Sequence, residues 1–242
     1  MRVRSRGFFL VSCAFAASSA RALVNTNFSE AHAGITVGAG TYLLPRHYDP
    51  VPSAGGTDAQ LSGSEKVHFI PAKLGVFTDL GSAATLEAYA RYLFATRAKW
   101  TVESSAATGS GSSEFSGYGA GLVVGLPFYR TPRFRALFVG RYELQFADAR
   151  LVFQDNSQLD LSATRNILGA GLQAEAWLGD LYSLSALAGF DYGLGGNWQV
   201  KKASRFLGQD YTAGNLRNSH GETVSGQLMA LYLELGFKLS FY

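Results

Sequence analysis

The sequence predicts an all-β protein, an antiparallel up-and-down transmembrane β-barrel of eight strands, or ten if the last polar gap adds a hairpin. Three observations predict it. Eight segments alternate apolar and polar residues with period 2. The gaps between them alternate between long and short. The final segment is unbroken: Leu231, Leu233, Leu235, Phe237, Leu239 and Phe241 share one face, and Tyr232, Glu234, Gly236, Lys238 and Ser240 the other.

The chain begins with an export signal over residues 1–22. Arg2, Arg4 and Arg6 precede an apolar run from Gly7 to Ala17, and Ala20-Arg21-Ala22 is a small-x-small cleavage site, which places the cut after Ala22. An N-terminal anchor helix is one alternative. Another is a lipoprotein route, because Leu10-Val11-Ser12-Cys13 has the form of a lipobox. Residues 23–242 form the barrel domain. Removing four signal arginines from the 21 basic residues leaves 17 against 18 acidic ones. The formal +3 of the whole chain thus becomes −1, and the basic balance belongs to the export signal. The single Cys excludes a disulfide framework or zinc finger. With 47 % hydrophobic residues the chain is not disordered. No apolar run reaches the roughly 18 residues of a membrane-spanning helix.

The strands are expected at 33–45, 66–78, 84–98, 115–128, 134–148, 162–178, 181–194 and 223–242. In the first, Ile35, Val37, Ala39 and Leu43 alternate with Gly34, Thr36, Gly38 and Gly40. In the second, Ile70, Ala72, Leu74 and Val76 alternate with Lys73 and Gly75, and Pro71 interrupts. The third sets Leu86, Ala88, Ala90, Tyr92 and Phe94 against Glu87, Tyr89, Arg91 and Arg97. The fourth sets Tyr118, Ala120, Leu122, Val124, Leu126 and Phe128 against Gly117, Gly119, Gly121, Val123 and Gly125. The fifth sets Phe134, Phe138, Tyr142 and Phe146 against Arg135, Arg141, Glu143 and Gln145. In the sixth, Leu168, Leu172 and Leu178 oppose Gly169, Gln173 and Glu175. In the seventh, Tyr182, Leu184, Phe190 and Tyr192 oppose Ser183, Ser185 and Asp191. The long polar gaps are 46–65, 99–114, 149–161 and 195–222. The short ones, at 79–83, 129–133 and 179–180, hold the Gly, Asp, Pro and Ser of tight turns.

A soluble barrel alternates too, with its apolar face inward. Here the polar face is mostly Gly and Ser with a few charges of both signs, which suits a cramped interior better than a solvated exterior. Aromatics bracket the apolar face: Tyr118 and Phe128, like Tyr182 and Tyr192, are ten residues apart. At about 3.3 Å per residue and a tilt of about 40° they span about 25 Å, the height of a lipid-facing band.

The inward ionisable set is Lys73, Glu87, Arg91, Arg97, Arg141, Glu143, Glu175, Asp191, Glu234 and Lys238. Near-balanced charge in a narrow lumen implies a paired network that plugs the barrel; the alternative is a narrow small-molecule or ion channel. An enzyme is the rival from another class. Ser219-His220-Gly221-Glu222 collects a nucleophile, a base and a carboxylate, as in outer-membrane enzymes that hydrolyse or transfer acyl chains of lipid A, although adjacency does not make a triad and loop composition explains the run equally well. No pair among His32, His47, His68 and His220 has metal-ligand spacing, and no cofactor is expected. Gly117-x-Gly119-x-Gly121 lacks the following helix of a nucleotide site. Lys201, Lys202 and Arg205 in the last long gap form a basic loop suited to the phosphates of lipopolysaccharide, or an ordinary solvated loop.

The terminal strand ending in Phe241 and Tyr242 resembles that of bacterial outer-membrane barrels, whose final aromatic is recognised by the assembly machinery; here Phe241 is in phase and Tyr242 is an extra residue. As a pattern the whole mature chain resembles the small outer-membrane barrels of the OmpA, OmpX and OmpW type. That resemblance implies an integral protein of the bacterial outer membrane with a structural or surface-interaction role, non-catalytic and monomeric. Its partners would be outer-membrane lipid and lipopolysaccharide, with no nucleic acid.

Overall fold

The computed structural model describes residues 32–46, 53–54, 57–58, 60–61, 70–81, 83–94, 97–103, 107–179, 181–218 and 220–241. The export signal, Cys13, His47, His68, Ser219 and Tyr242 lie outside the described residues.

Among the described residues nine strands of seven or more residues build the frame: β1 (Ala33–Arg46), β2 (Ile70–Asp79), β3 (Thr85–Phe94), β4 (Arg97–Glu103), β5 (Thr108–Arg130), β6 (Phe134–Phe153), β7 (Gln158–Trp177), β8 (Tyr182–Leu194) and β9 (Met229–Phe241). All pairings are antiparallel. β1 pairs with both β2 and β9, so the sheet closes on itself. β3 and β4 pair with successive parts of β5 and act as one stave, which makes a ring of eight. Closure leaves no open edge at this level, a requirement for strands in a solvent that cannot hydrogen-bond.

Short turns join the staves at one end. Leu80 N–H donates to the Ala84 carbonyl and Gly81 takes φ 59°. Thr131 N–H donates to the Phe134 carbonyl, and its hydroxyl accepts from Phe134 N–H. An extra residue at Phe128 bulges β5 beside this turn, which turns Phe128 and Tyr129 outward together. Pro71 sits where the ladder from β1 has already stopped at Ala72, so its missing N–H disrupts no bond to that neighbour.

The polarity is inside out. Leu74, Leu122 and Leu235 are 60 %, 59 % and 71 % exposed, whereas Arg91, Glu143 and Asp191 are 3 %, 0 % and 0 % exposed. Aromatics pair at both margins of the outer apolar belt. Tyr118 stacks on Phe146 at one margin, with Phe128 against Phe138 and Tyr182 on Phe237 towards the other. A wall of this kind is stable only where the outer solvent is hydrocarbon, so the fold is a transmembrane β-barrel.

Four of the staves are longer than expected, and the last is shorter. The gap 149–161 is not a loop: β6 runs to Phe153 and β7 starts at Gln158, joined by a tight turn in which Asn156 takes φ 64°. Most of 99–114 is likewise strand, in β4 and β5, and β9 begins only at Met229. Beyond Phe146 the wall rises about 18 Å further. There its polarity reverses. On β6 the outward residues become Asp148 and Arg150, and the inward ones Ala147, Ala149, Leu151 and Phe153. On β7, Ser162 and Asp160 turn outward while Ala163, Leu161 and Leu159 turn inward. The period of 2 persists, but the apolar parity has switched.

Apolar side chains fill this upper region and join the buried apolar residues of the lumen in one cluster. Trp100 stacks on Phe153 and meets Phe206 edge-on, while Phe115 lies against Trp198. The segment 195–228 supplies Trp198, Val200, Phe206, Leu207, Leu216 and Leu228, all buried. Its short strands Gln199–Val200, Gly214–Asn215, Ser204–Phe206 and Gln209–Tyr211 lie above the belt, so a fifth membrane hairpin does not form and the ring stays at eight.

Candidate functional site

Two charged assemblies occupy the lumen. In the middle, Lys73 on β2 pairs with Glu87 on β3 at 2.8 Å and with Glu234 on β9. Arg91 on β3 reaches Glu143 on β6 at 3.0 Å and Glu234 at 3.2 Å, and its Nη1 donates to the Tyr42 hydroxyl. Glu143 also accepts from the Tyr89 hydroxyl at 2.7 Å and from Gln145 at 3.1 Å. Arg141 pairs with Asp191 on β8 and lies 4.0 Å from the Tyr232 ring centroid. Nearer the short turns, Arg135 bridges Asp79, at 3.0 Å, and Glu175, which also holds Lys238. Thr85 donates to Asp79 at 2.6 Å.

Room for these groups comes from β5, whose inward side is largely glycine. A Cβ on Gly119 would lie 2.7 Å from Glu143 Oε1, and one on Gly121 2.6 Å from the Tyr89 hydroxyl. The Gly-x-Gly-x-Gly run is thus the space into which neighbouring staves project their ions.

The structure places Glu87, Arg91, Arg141, Glu143, Glu175, Asp191, Glu234, Lys238 and Lys73 inside the barrel. Arg97 corrects the expectation: its side chain is 77 % exposed and its Nε donates to Glu114 at 2.6 Å. The cause is a one-residue register shift between the pairs Leu93–Gly117 and Arg97–Glu114, after which even-numbered Trp100 and Val102 point inward. Sequence reasoning missed Asp79, Arg135 and Arg165 as members of the set. Each is in phase with inward neighbours: Asp79 with Lys73, Arg135 with Arg141, Arg165 with Glu175. Among the described residues six buried carboxylates then face six buried Lys and Arg side chains. Arg165 is the uppermost, its guanidinium 5.5 Å from the Trp198 ring, at the floor of the apolar core.

Of the basic loop residues, Lys201 pairs with Asp148 at 2.7 Å and Lys202 approaches Asp160 at 3.8 Å. Arg205 is exposed on the short hairpin opposite Asp210. His220 and Glu222 sit at an exposed hairpin tip organised by Asn218. The Asn218 Oδ1 accepts from the backbone N–H of both, and its Nδ2 donates to Glu222 at 3.1 Å.

An eight-stranded transmembrane β-barrel with an ion-paired lumen and a raised apolar cap is therefore the class that fold and site define. Among solved structures the chain is similar to Neisserial surface protein A, with 14 % identity, 88 % of this chain and 99 % of that one covered, and a TM-score of 0.43. It is similar also to Ail, the attachment invasion locus protein of Yersinia pestis, with 10 % identity, the same coverages and a TM-score of 0.43. A structure of Ail with the heparin analogue sucrose octasulfate matches with 12 % identity, 88 % and 99 % coverage and a TM-score of 0.41. No family model matches the chain, and no curated protein does.

Proposed function

We infer that this chain is an integral protein of the bacterial outer membrane with a structural and surface-interaction role. The observation that carries the reading is the reversal of polarity above the apolar belt: the wall is built for lipid below Phe146 and for water above it. An export signal cut near Ala22 delivers the chain, and the terminal strand through Phe241 and Tyr242 engages the barrel-assembly machinery. The short turns then face the periplasm and the raised cap faces outward, where Lys201, Lys202 and Arg205 meet lipopolysaccharide.

The lumen serves as a lock. Its paired charges tie β2, β3, β6, β7, β8 and β9 together, and the apolar core above them shuts the mouth to solutes. The barrel acts as a monomer, without cofactor, nucleic acid or catalysis.

Membrane fractionation with heat-modifiable gel migration tests the reading. A membrane-bound protein whose mobility changes on boiling, with residues 195–228 cleaved by protease added to whole cells, is expected. A soluble periplasmic protein with unchanged mobility overturns it. Discrete conductance steps in planar bilayers overturn the plugged lumen. Loss of a lipid A acyl chain that is abolished by His220→Ala overturns the non-catalytic role.

A further inference from the structure

A ladder of charges crosses the outer wall just above the aromatic margin. Arg97, Glu114, Arg150 and Asp160 are directly opposite one another on β4, β5, β6 and β7. Lys201 continues the row, its backbone N–H held by the Asp160 carbonyl at 3.0 Å. Two residues nearer the belt, Ser116, Asp148 and Ser162 form a second row, and two further lies the row of Tyr118 and Phe146. Each two-residue step rises about 5 Å, so the rows stand about 5 and 10 Å above the aromatic margin. Bilayer headgroups occupy that layer.

Between the rows lies a hollow of about 320 Å³ lined by Glu114, Ser116, Asp148, Arg150, Asp160 and Lys201. That size falls at the low end for small-ligand sites, about 300–1,000 Å³. Its chemistry is mixed, with three carboxylates and a hydroxyl around two cations, and Arg97 and Lys202 at its margins. Among the described residues Arg150 engages Asp160 through Nε alone, at 2.9 Å. Its Nη–Nη edge is thereby left to fork onto a phosphate. Lys201 is anchored at its backbone and adds a second cation. The carboxylates do not converge as a cation cage: no group of three or more acidic or His side chains that could hold a metal occurs among the described residues. Carboxylates spread beside a phosphate-ready arginine suit a polyhydroxyl ligand instead, because each retains lone pairs that accept hydroxyl protons.

We propose that this hollow binds the phosphorylated sugar headgroup of a membrane lipid, its phosphate on Arg150 and Lys201 and its hydroxyls on Glu114, Asp148 and Asp160. The proposal rests on the membrane reading above and deepens it. It extends the lipid contact from the cationic loop to the wall of β5, β6 and β7, and gives the carboxylates a role.

The test uses the mature chain folded in detergent micelles, with binding read by native mass spectrometry. The probes are a diphosphorylated glucosamine-disaccharide lipid, its dephosphorylated counterpart, phosphatidylethanolamine and soluble glucosamine phosphate. The phosphorylated glycolipid is expected to bind at least about tenfold more tightly than the other three, the size of one charged hydrogen-bonded contact. Arg150→Gln and Lys201→Gln are each expected to weaken it by about five- to tenfold, and Arg217→Gln, at an exposed position near the Asn218 hairpin tip, by less than about twofold. Arg150→Lys keeps the charge without the fork and is expected to weaken it too, which guards against a variant that fails to fold. Equal binding of the dephosphorylated lipid or of phosphatidylethanolamine, or indifference to Arg150, overturns the proposal. Soluble glucosamine phosphate binding as tightly overturns the lipid as its source. A wild-type chain that is soluble and not heat-modifiable fails the membrane reading instead, and is seen before any lipid is added.

Discussion

Arg91 and Glu143 meet at 3.0 Å across a stave that belongs to neither of them: Arg91 is on β3, Glu143 on β6, and β5 runs between. Both side chains are almost wholly enclosed, at 1 % and 0 % exposure. Two ions taken out of water at this depth depend on each other, and removing one leaves the other uncompensated. Arg91→Leu is therefore expected to destabilise the barrel by about 3–5 kcal/mol. Adding Glu143→Leu is expected to recover part of that loss. Urea unfolding in lipid vesicles, followed by tryptophan fluorescence, measures both; a single variant as stable as wild type refutes the mutual dependence.

The contact exists because β5 has no side chain in the way. Gly121→Ala would bring a Cβ within 2.4 Å of the Tyr142 carbonyl and 2.6 Å of the Tyr89 hydroxyl. A cost of roughly 1–3 kcal/mol is expected from such overpacking. Gly140, outward on β6 with nothing within 4 Å of its Cβ position, should accept Ala within about 0.5 kcal/mol. Comparing the two in the same unfolding assay separates lost room from lost glycine.

Trp198 is completely buried among Phe115 and the upper apolar residues, away from the ion pairs of the lumen's middle. Trp198→Ala should cost the cap about 3–5 kcal/mol. Because the ion pairs that tie the staves lie below Trp198, residues 195–228 are expected to be cleaved faster than in wild type while the gel-shifted barrel persists. Simultaneous loss of both would show that the two regions fold as one unit.

Leu122 faces lipid and Ser116, on the same strand, faces outward above the aromatic margin. Leu122→Arg should cost about 2–4 kcal/mol, and Ser116→Arg no more than about 1 kcal/mol. Equal costs, measured by reversible folding into vesicles, would remove the boundary between them.

The turn between β6 and β7 should be sensitive to acid. Ser157 holds the Asp155 carboxyl below the ordinary aspartate range, first through its side chain and then through its backbone N–H, which donates to Asp155 Oδ1 at 2.8 Å. A lowered folded-state pKa stabilises the turn above the unfolded value of about 3.9, and that contribution is lost as pH falls through the folded value. Amide exchange at Ser157 should accelerate in acid, relative to its intrinsic rate, in wild type and stay flat in Asp155→Asn. Parallel profiles for the two proteins would contradict this.

The barrel itself was legible because period 2 is a direct consequence of strand geometry, and eight such runs leave few alternatives. Its upper extension was not. At Phe146-Ala147 two apolar residues fall side by side, and the alternation resumes on the other parity through Ala149, Leu151 and Phe153. A phase change of this kind reads along a sequence as the end of a strand, although the backbone continues unbroken. Arg97 was misplaced for a related reason, since a one-residue register shift after Phe94 swaps the faces while leaving the residue pattern plausible. Which ions pair with which was beyond the sequence, because Arg91 and Glu234 are 143 positions apart and meet only through ring closure.

The switch of parity at Phe146 also determines how deep the protein sits. Raising the barrel by one two-residue step would lift the Tyr118 and Phe146 rings out of the interface. Lowering it by one step would bring the Asp148 carboxylate level with the aromatic margin, at the edge of the hydrocarbon. Either displacement is opposed by residues already in place, so the vertical position of the molecule is written into its wall like a waterline, with no need of an anchor in either compartment. Lateral neighbours of any kind would then find the same rungs of the ladder at the same height on every copy.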